Sequence, residues 1–215
     1  MTGGPSTGPV PAPPADLECS GFLLAAGTRL HRIHDDQFAP CAFNPGYGHS
    51  RFAPFEVGGV KIPTAYAATN LECAVYETIF HDIDATAPIK SVRWSALQPL
   101  RYSIVELKRE VSLAALFSAD LLKLGLERGQ LIDTPKSTYP ATQAWSPAIH
   151  GSPGAHDGMI WVSRKFDLEK AMMLFGDRIK AADWEVVEST WVTRDPETLR
   201  TVEELANRSG ILIAR

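Results

Sequence analysis

Cysteine is scarce in this chain, three among 215 residues, and Cys19, Cys41 and Cys73 lie too far apart in sequence to form a metal-ligand or redox pair. That usage excludes a disulfide-stapled scaffold and reads as reduced thiols in a cytoplasm. An excess of positive charge is missing too: 21 Lys and Arg stand against 25 Asp and Glu, a formal net charge of -4. No electrostatic footprint for nucleic acid or for an anionic membrane remains. No stretch approaches the ~18 to 20 apolar residues of a membrane span. The opening MTGGPSTGPVPAPPADLE has neither the basic start nor the apolar core of a secretory signal. The signatures of the common enzyme classes are also wanting, since no phosphate loop, GxGxxG, HExxH, nucleophile elbow or CxxC occurs.

What is present is apolar content, 45% of the residues, enough for the core of one domain of this length. The Pro, Gly and Ser of residues 1–16 predict a disordered leader. Alternation over GFLLAAGTRLHRIH predicts a strand with Leu30, Arg32 and His34 on one face and Arg29, His31 and Ile33 on the other. Residues 38–59 are broken by Pro and Gly into an ordered loop of the kind that carries sites. Further strands are expected at 89–94, 101–107, 158–163, 171–175 and 184–193, and helices at about 112–124 and 139–149. A closing helix has Asp195 as N-cap, Pro196 at its first position, Leu199, Val202 and Leu205 as its apolar stripe and Gly210 as its stop. This order lacks a βαβ rhythm and predicts an α+β fold in a single domain, with residues 194–215 packed on it.

One stretch stands out. Thr64 to His81, TAYAATNLECAVYETIFH, predicts a helix over 70–81 in which Thr69 and Glu72 form a capping box. At 100° per residue Leu71, Ala74, Val75 and Thr78 share one face, and Cys73, Glu77 and Phe80 another. Glu77 therefore sits among apolar neighbours. A buried carboxylate without a partner costs several kcal/mol or takes up a proton, so the residue is either half of a structural ion pair or a group awaiting a substrate. Other polar residues in apolar settings are Arg32, Arg51 after His49-Ser50, Tyr66, and Ser163-Arg164 at a strand end.

Together the runs LHRIH, FNPGYGHSRFAP, TAYAATNLECAVYET, DGMIWVSRKF and AMMLFGDR resemble the RES domain, the toxin of Xre-RES toxin-antitoxin pairs. The resemblance spans about Phe22 to Arg178 within a domain placed at 17–193, and is most specific from Tyr66 to Glu77 and at Arg51-Phe52. It makes Arg32 the family Arg, Glu77 the family Glu and Ser163 the family Ser, with Ser146 a competing candidate. His49-Ser50 departs from the pattern where many members have Gly before the Arg.

The resemblance implies a fold like the diphtheria-type ADP-ribosyltransferases, NAD+ as co-substrate with no metal, and an Xre-family antitoxin as partner. It also implies transfer of ADP-ribose to water, phosphate or a host protein side chain. The residue types suit that chemistry. A carboxylate at Glu77 stabilises the oxocarbenium-like state formed when nicotinamide leaves ribose. Guanidinium groups at Arg32 and Arg51 bind diphosphate, Tyr66 stacks on nicotinamide, and Ser163 hydrogen-bonds ribose or phosphate. Two other classes stay open: a nucleotide-binding module that turns nothing over, and a protein-interaction module in which these groups need not converge.

Overall fold

A computed structural model describes residues 8–215 of the chain. Along them run β1 (Gly21–Leu24), β2 (Arg29–Asp35), a hairpin of β3 (Glu56–Val57) and β4 (Val60–Lys61), β5 (Thr64–Ala68), α1 (Leu71–Thr78), β6 (Lys90–Arg93), α2 (Trp94–Leu97), β7 (Leu100–Leu107) and β8 (Val111–Ala115). There follow α3 (Ser118–Lys123), α4 (Arg128–Leu131), α5 (Tyr139–Gln143), α6 (Trp145–His150), β9 (Gly158–Val162), β10 (Lys170–Phe175), β11 (Trp184–Trp191), α7 (Pro196–Arg208) and β12 (Ile211–Ala214). No helix among the described residues is long and apolar enough to cross a membrane.

Eight strands form one sheet in the order β1-β8-β9-β10-β5-β2-β7-β11, antiparallel except where β8 meets β9. The alternation of β9 and β10 explains why this sheet has two cores. Met159, Trp161, Met173 and Phe175 face one side with α1, while Ile160, Met172 and Leu174 face the other with Leu30, Val105 and Trp184. Strands covered on both faces read as continuous apolar runs, as MMLF does. The architecture is α+β in a single domain, as expected.

Near its middle the sheet is only tacked together. β2 and β5 pair at His31 and Ala68 alone, whereas β2 and β7 pair over seven residues. Beyond that point Ile33 of β2 and Tyr66 of β5 stand on the α1 side of an open seam, and the site lies there.

Several local expectations change in three dimensions. Helix α1 is capped by Asn70, whose side chain accepts from the Cys73 amide at 2.8 Å. Thr69 instead donates its hydroxyl to Glu169 at 2.6 Å, and the helix ends at Thr78. Residues 112–115, expected as the start of a helix, belong to β8, because they complete the ladders to β1 and β9. α7 is capped by Asp195 as read, but the chain then turns through Gly210 (φ +64°) into β12, which pairs in parallel with β6. Residues 1–7 of the expected leader lie outside the described residues. From Gly8 the chain has no regular structure yet lies on the domain: Trp145 donates to the Pro11 carbonyl at 2.9 Å, and Leu17 is buried.

Candidate active site

The cleft at the seam has a volume of about 290 Å³, at the small end of ligand pockets (~300–1,000 Å³). Arg51, Tyr66 and Glu77 line it together with Ile33, His49 and Trp161. Each arrives from a different element, and each is held in place by its own contacts.

Glu77 is carried on the last turn of α1 and is half-buried. Its Oε1 accepts from Ser163 Oγ at 2.7 Å and, at 3.4 Å, from the Arg164 amide. Ser163 stands at the end of β9, fully buried, and its oxygen in turn accepts from the amides of Lys165 and Phe166 at 3.3 and 3.2 Å. The hydroxyl is thus oriented by the turn it caps, and spends its proton on Glu77. No cation lies within ion-pair distance of this carboxylate among the described residues, so Glu77 is not half of a structural ion pair.

Arg51 is 3% exposed. Among the described residues its side chain makes one hydrogen bond, a long one from Nε to Thr134 Oγ1 at 3.5 Å, and Nη2 meets no acceptor at all. Burial lowers its pKa, and the nearby Glu77 carboxylate opposes that shift most. The backbone around it is clamped with unusual completeness. Gln143 donates to the carbonyls of Ser50 and Ala53 at 2.9 Å each, Thr142 to that of Arg51 at 2.5 Å, and Ser146 to that of Phe52 at 2.7 Å. A Pro-broken loop has carbonyls that no ladder satisfies, and α5 and α6 supply the donors. Ser146, the competing candidate, therefore builds the floor under Arg51, while Ser163 touches Glu77.

Tyr66 keeps 36% of its surface open to the cleft while its hydroxyl bonds Ser50 Oγ at 2.7 Å, and its ring meets Trp161 edge-on at 6.3 Å. Burial raises the phenol to about 12, against the pull of the Ser50 hydrogen bond and of Arg51. It remains a neutral platform at any physiological pH.

Arg32 borders this cluster, lining a small recess with Tyr66 and Glu77, but its guanidinium does not enter the cleft. It points to the opposite face of the sheet, where Nε donates to the Tyr66 carbonyl at 3.0 Å, Nη2 to that of Ala42 at 3.1 Å and Nη1 to that of Pro40. Its guanidinium also stacks over Trp184 at 5.3 Å. Burial lowers its pKa to about 10, so it stays cationic. Three of its N–H groups are given to protein carbonyls, and the bond to Tyr66 sutures the seam between β2 and β5.

The rim was not foreseen. Asp82, just past α1, pairs with Lys136 at 2.6 Å and with His81 at 2.9 Å, and these three also line an adjoining recess of about 430 Å³ that holds Arg164, Lys165 and Tyr139. They lie on loops with no sequence pattern to mark them. Trp161, Thr142 and Gln143 lie inside a strand or helix whose pattern does not mark them, and of the clamp only Ser146 stands out in the sequence, as the competing family Ser. No group of three or more His, Cys, Asp or Glu close enough to hold a metal ion occurs among the described residues.

Comparisons with known proteins agree with this architecture. The family profile described as RES domain matches residues 29–195. A chain from the crystal structure of the M. tuberculosis MbcT-MbcA toxin-antitoxin complex superposes with a TM-score of 0.60 at 12% identity, over 86% of this chain and 92% of that one. No curated protein sequence matches.

Proposed function

The chain belongs to the RES domain family, and from that premise and the chemistry of the cleft we propose that it is the toxin of a toxin-antitoxin pair that consumes NAD+. In this reading the bond between nicotinamide and C1′ of ribose breaks with its electron pair going to neutral nicotinamide. C1′ passes through an oxocarbenium-like state and is captured by an acceptor oxygen or nitrogen that gives up its proton. The acceptor is water, phosphate or a protein side chain. The partner that silences the toxin is an Xre-family antitoxin, and the compartment is the cytoplasm.

One observation carries the proposal. Among the described residues a buried guanidinium whose Nη2 meets no acceptor and a carboxylate with no cation at ion-pair distance line the same cleft. A desolvated arginine is costly to leave unpaired, so its acceptor belongs to the substrate, and a diphosphate offers the matching charge. Glu77 then faces the developing positive charge of the ribose, held ready by Ser163 rather than neutralised by a cation. Tyr66 offers its ring to nicotinamide. The cleft alone suits the nicotinamide half, and the recess beyond the Lys136–Asp82 pair, with Arg164 on its wall, accommodates the rest of a dinucleotide. Arg32 is a positioning residue here, acting through the Tyr66 carbonyl.

The test is incubation with labelled NAD+, with and without cell extract, following free nicotinamide and label on protein. Release is expected. Glu77→Gln, nearly isosteric, is expected to slow it by about two to three orders of magnitude with an unchanged melting temperature. Saturable NAD+ binding with no release would establish a silent binding module instead, and neither binding nor release would overturn the assignment.

A further inference from the structure

A second cavity borders α1, shares no lining residue with the cleft and has a volume of about 340 Å³. Its walls are aromatic: Tyr76 stacks on Phe166 at 5.5 Å and meets Phe80 edge-on at 5.6 Å. The Tyr76 hydroxyl is already engaged with Ser209 Oγ at 2.6 Å, so these rings present carbon to the cavity. Three cations, Lys90, Lys165 and Arg208, line the same space, and no carboxylate does. Lys165 gives two of its three ammonium hydrogens to the carbonyls of Phe80 and Ile83 at 2.6 and 2.7 Å, and Lys90 and Arg208 take part in no ion pair among the described residues.

That composition runs against the rest of the molecule. In a chain with more acids than bases, three cations share this lining without an acid, and Asp82, Glu77 and Asp84 act on Lys165 only from outside it. An apolar floor beside unpaired positive charge complements a ligand that is apolar at one end and anionic at the other. We propose that this groove is a second binding site, which takes a small amphipathic acid. Its apolar body lies against Tyr76, Phe80 and Phe166, and its carboxylate, sulfonate or phosphate is within reach of Lys90, Lys165 and Arg208. The groove shares no lining residue with the cleft of Glu77, and it meets the recess beyond the Lys136–Asp82 pair at Ile83, Ala85 and Lys165.

The probe is 8-anilinonaphthalene-1-sulfonate, an aromatic body with one negative group, titrated into the full chain by fluorescence. One saturable site is expected. N-phenyl-1-naphthylamine, the same body without the sulfonate, is expected to bind about tenfold or more weakly, and so is the sulfonate to the Lys90→Glu/Arg208→Glu double variant. Both positions are at the surface, and an unchanged thermal melt will show that the variant is folded. Equal affinity for the charged and uncharged probes, or indifference to charge reversal, would reduce the groove to an apolar patch and overturn the proposal. Displacement of the dye by nicotinamide, or loss of its binding in Glu77→Gln, would place it in the cleft and overturn the proposal equally.

Discussion

Two arginines are buried on opposite faces of one sheet, Arg32 at 7% exposure and Arg51 at 3%, and their surroundings make them different kinds of residue. Arg32 meets three backbone carbonyls and an aromatic ring, all from the protein. Among the described residues Arg51 has one long hydrogen bond and a terminal nitrogen with no acceptor, although four carbonyls around it are tied down by side chains of α5 and α6. Burial alone does not mark a functional charge. The residue worth following is the one whose surroundings are rigid while its own hydrogen-bonding capacity is unspent.

The sharpest way to break this comparison is to remove each guanidinium while keeping its length. Arg32→Met leaves three carbonyls without their donor, each worth ~1 to 3 kcal/mol when buried and unmet. A loss of about 3 kcal/mol is expected from urea midpoints, with little change in the KM for NAD+ of the protein that remains folded. Arg51→Met removes a charge that satisfies almost nothing, so stability is expected to stay within about 1 kcal/mol while kcat/KM for NAD+ falls by about a hundredfold. If Arg51→Met unfolded the protein as readily as Arg32→Met, both arginines would be structural and the cleft would lose its anion site.

Sequence pattern reached part of this difference. Strand alternation put Arg32 on the face of Leu30, which is where it lies, but parity cannot say which face bears the cleft. That depends on where α1 packs, and α1 sits over Ile33. Glu77 is legible as an acid among apolar neighbours on a helix, whereas its bond to Ser163 spans 86 residues and belongs to tertiary structure alone. The cap was misread because Thr69 and Asn70 are both good N-caps, and only the fold decides that Thr69 is needed by Glu169 and Lys170. β8 and β12 failed for a common reason, being short apolar runs whose strand character comes from the partners β1, β9 and β6.

A smaller effect separates positioning from charge on the cleft side. Ser163→Ala removes one hydroxyl that donates to Glu77 and accepts from two amides. About 1 to 2 kcal/mol of stability should be lost, and nicotinamide release should slow by about tenfold through kcat with KM nearly unchanged. Ser163→Thr keeps the hydroxyl and is expected to recover most of the rate. A fall in KM-governed binding instead would mean that Ser163 touches the substrate itself.

The mildest test titrates the Arg32 face. His34 shares it, with Nδ1 3.0 Å from the Asp35 carbonyl and Nε2 2.8 Å from Ser103 Oγ. A carbonyl only accepts, so Nδ1 carries the proton and neutral Nε2 accepts from Ser103. Ser103 then accepts from Ser189 at 2.8 Å, and Ser189 from Arg101 Nε at 3.0 Å, a chain directed from the arginine toward the histidine. Protonating Nε2 would reverse its last links. Burial lowers the His34 pKa, the Asp35 carbonyl opposes this, and the cations Arg32 and Arg101 add to it. Because the folded pKa lies below the unfolded value of about 6.5, the unfolded chain binds more protons between the two, and stability rises with pH across that window and falls as pH drops below 6.5. Half-buried His31 is shifted the same way, so His34→Gln should flatten only part of the slope of urea midpoints between pH 7 and pH 5, while Arg51→Met should leave that slope intact. An unchanged slope in His34→Gln would mean that Ser103 and Ser189 reorient freely, and that the face of Arg32 is less rigid than its filled hydrogen bonds imply.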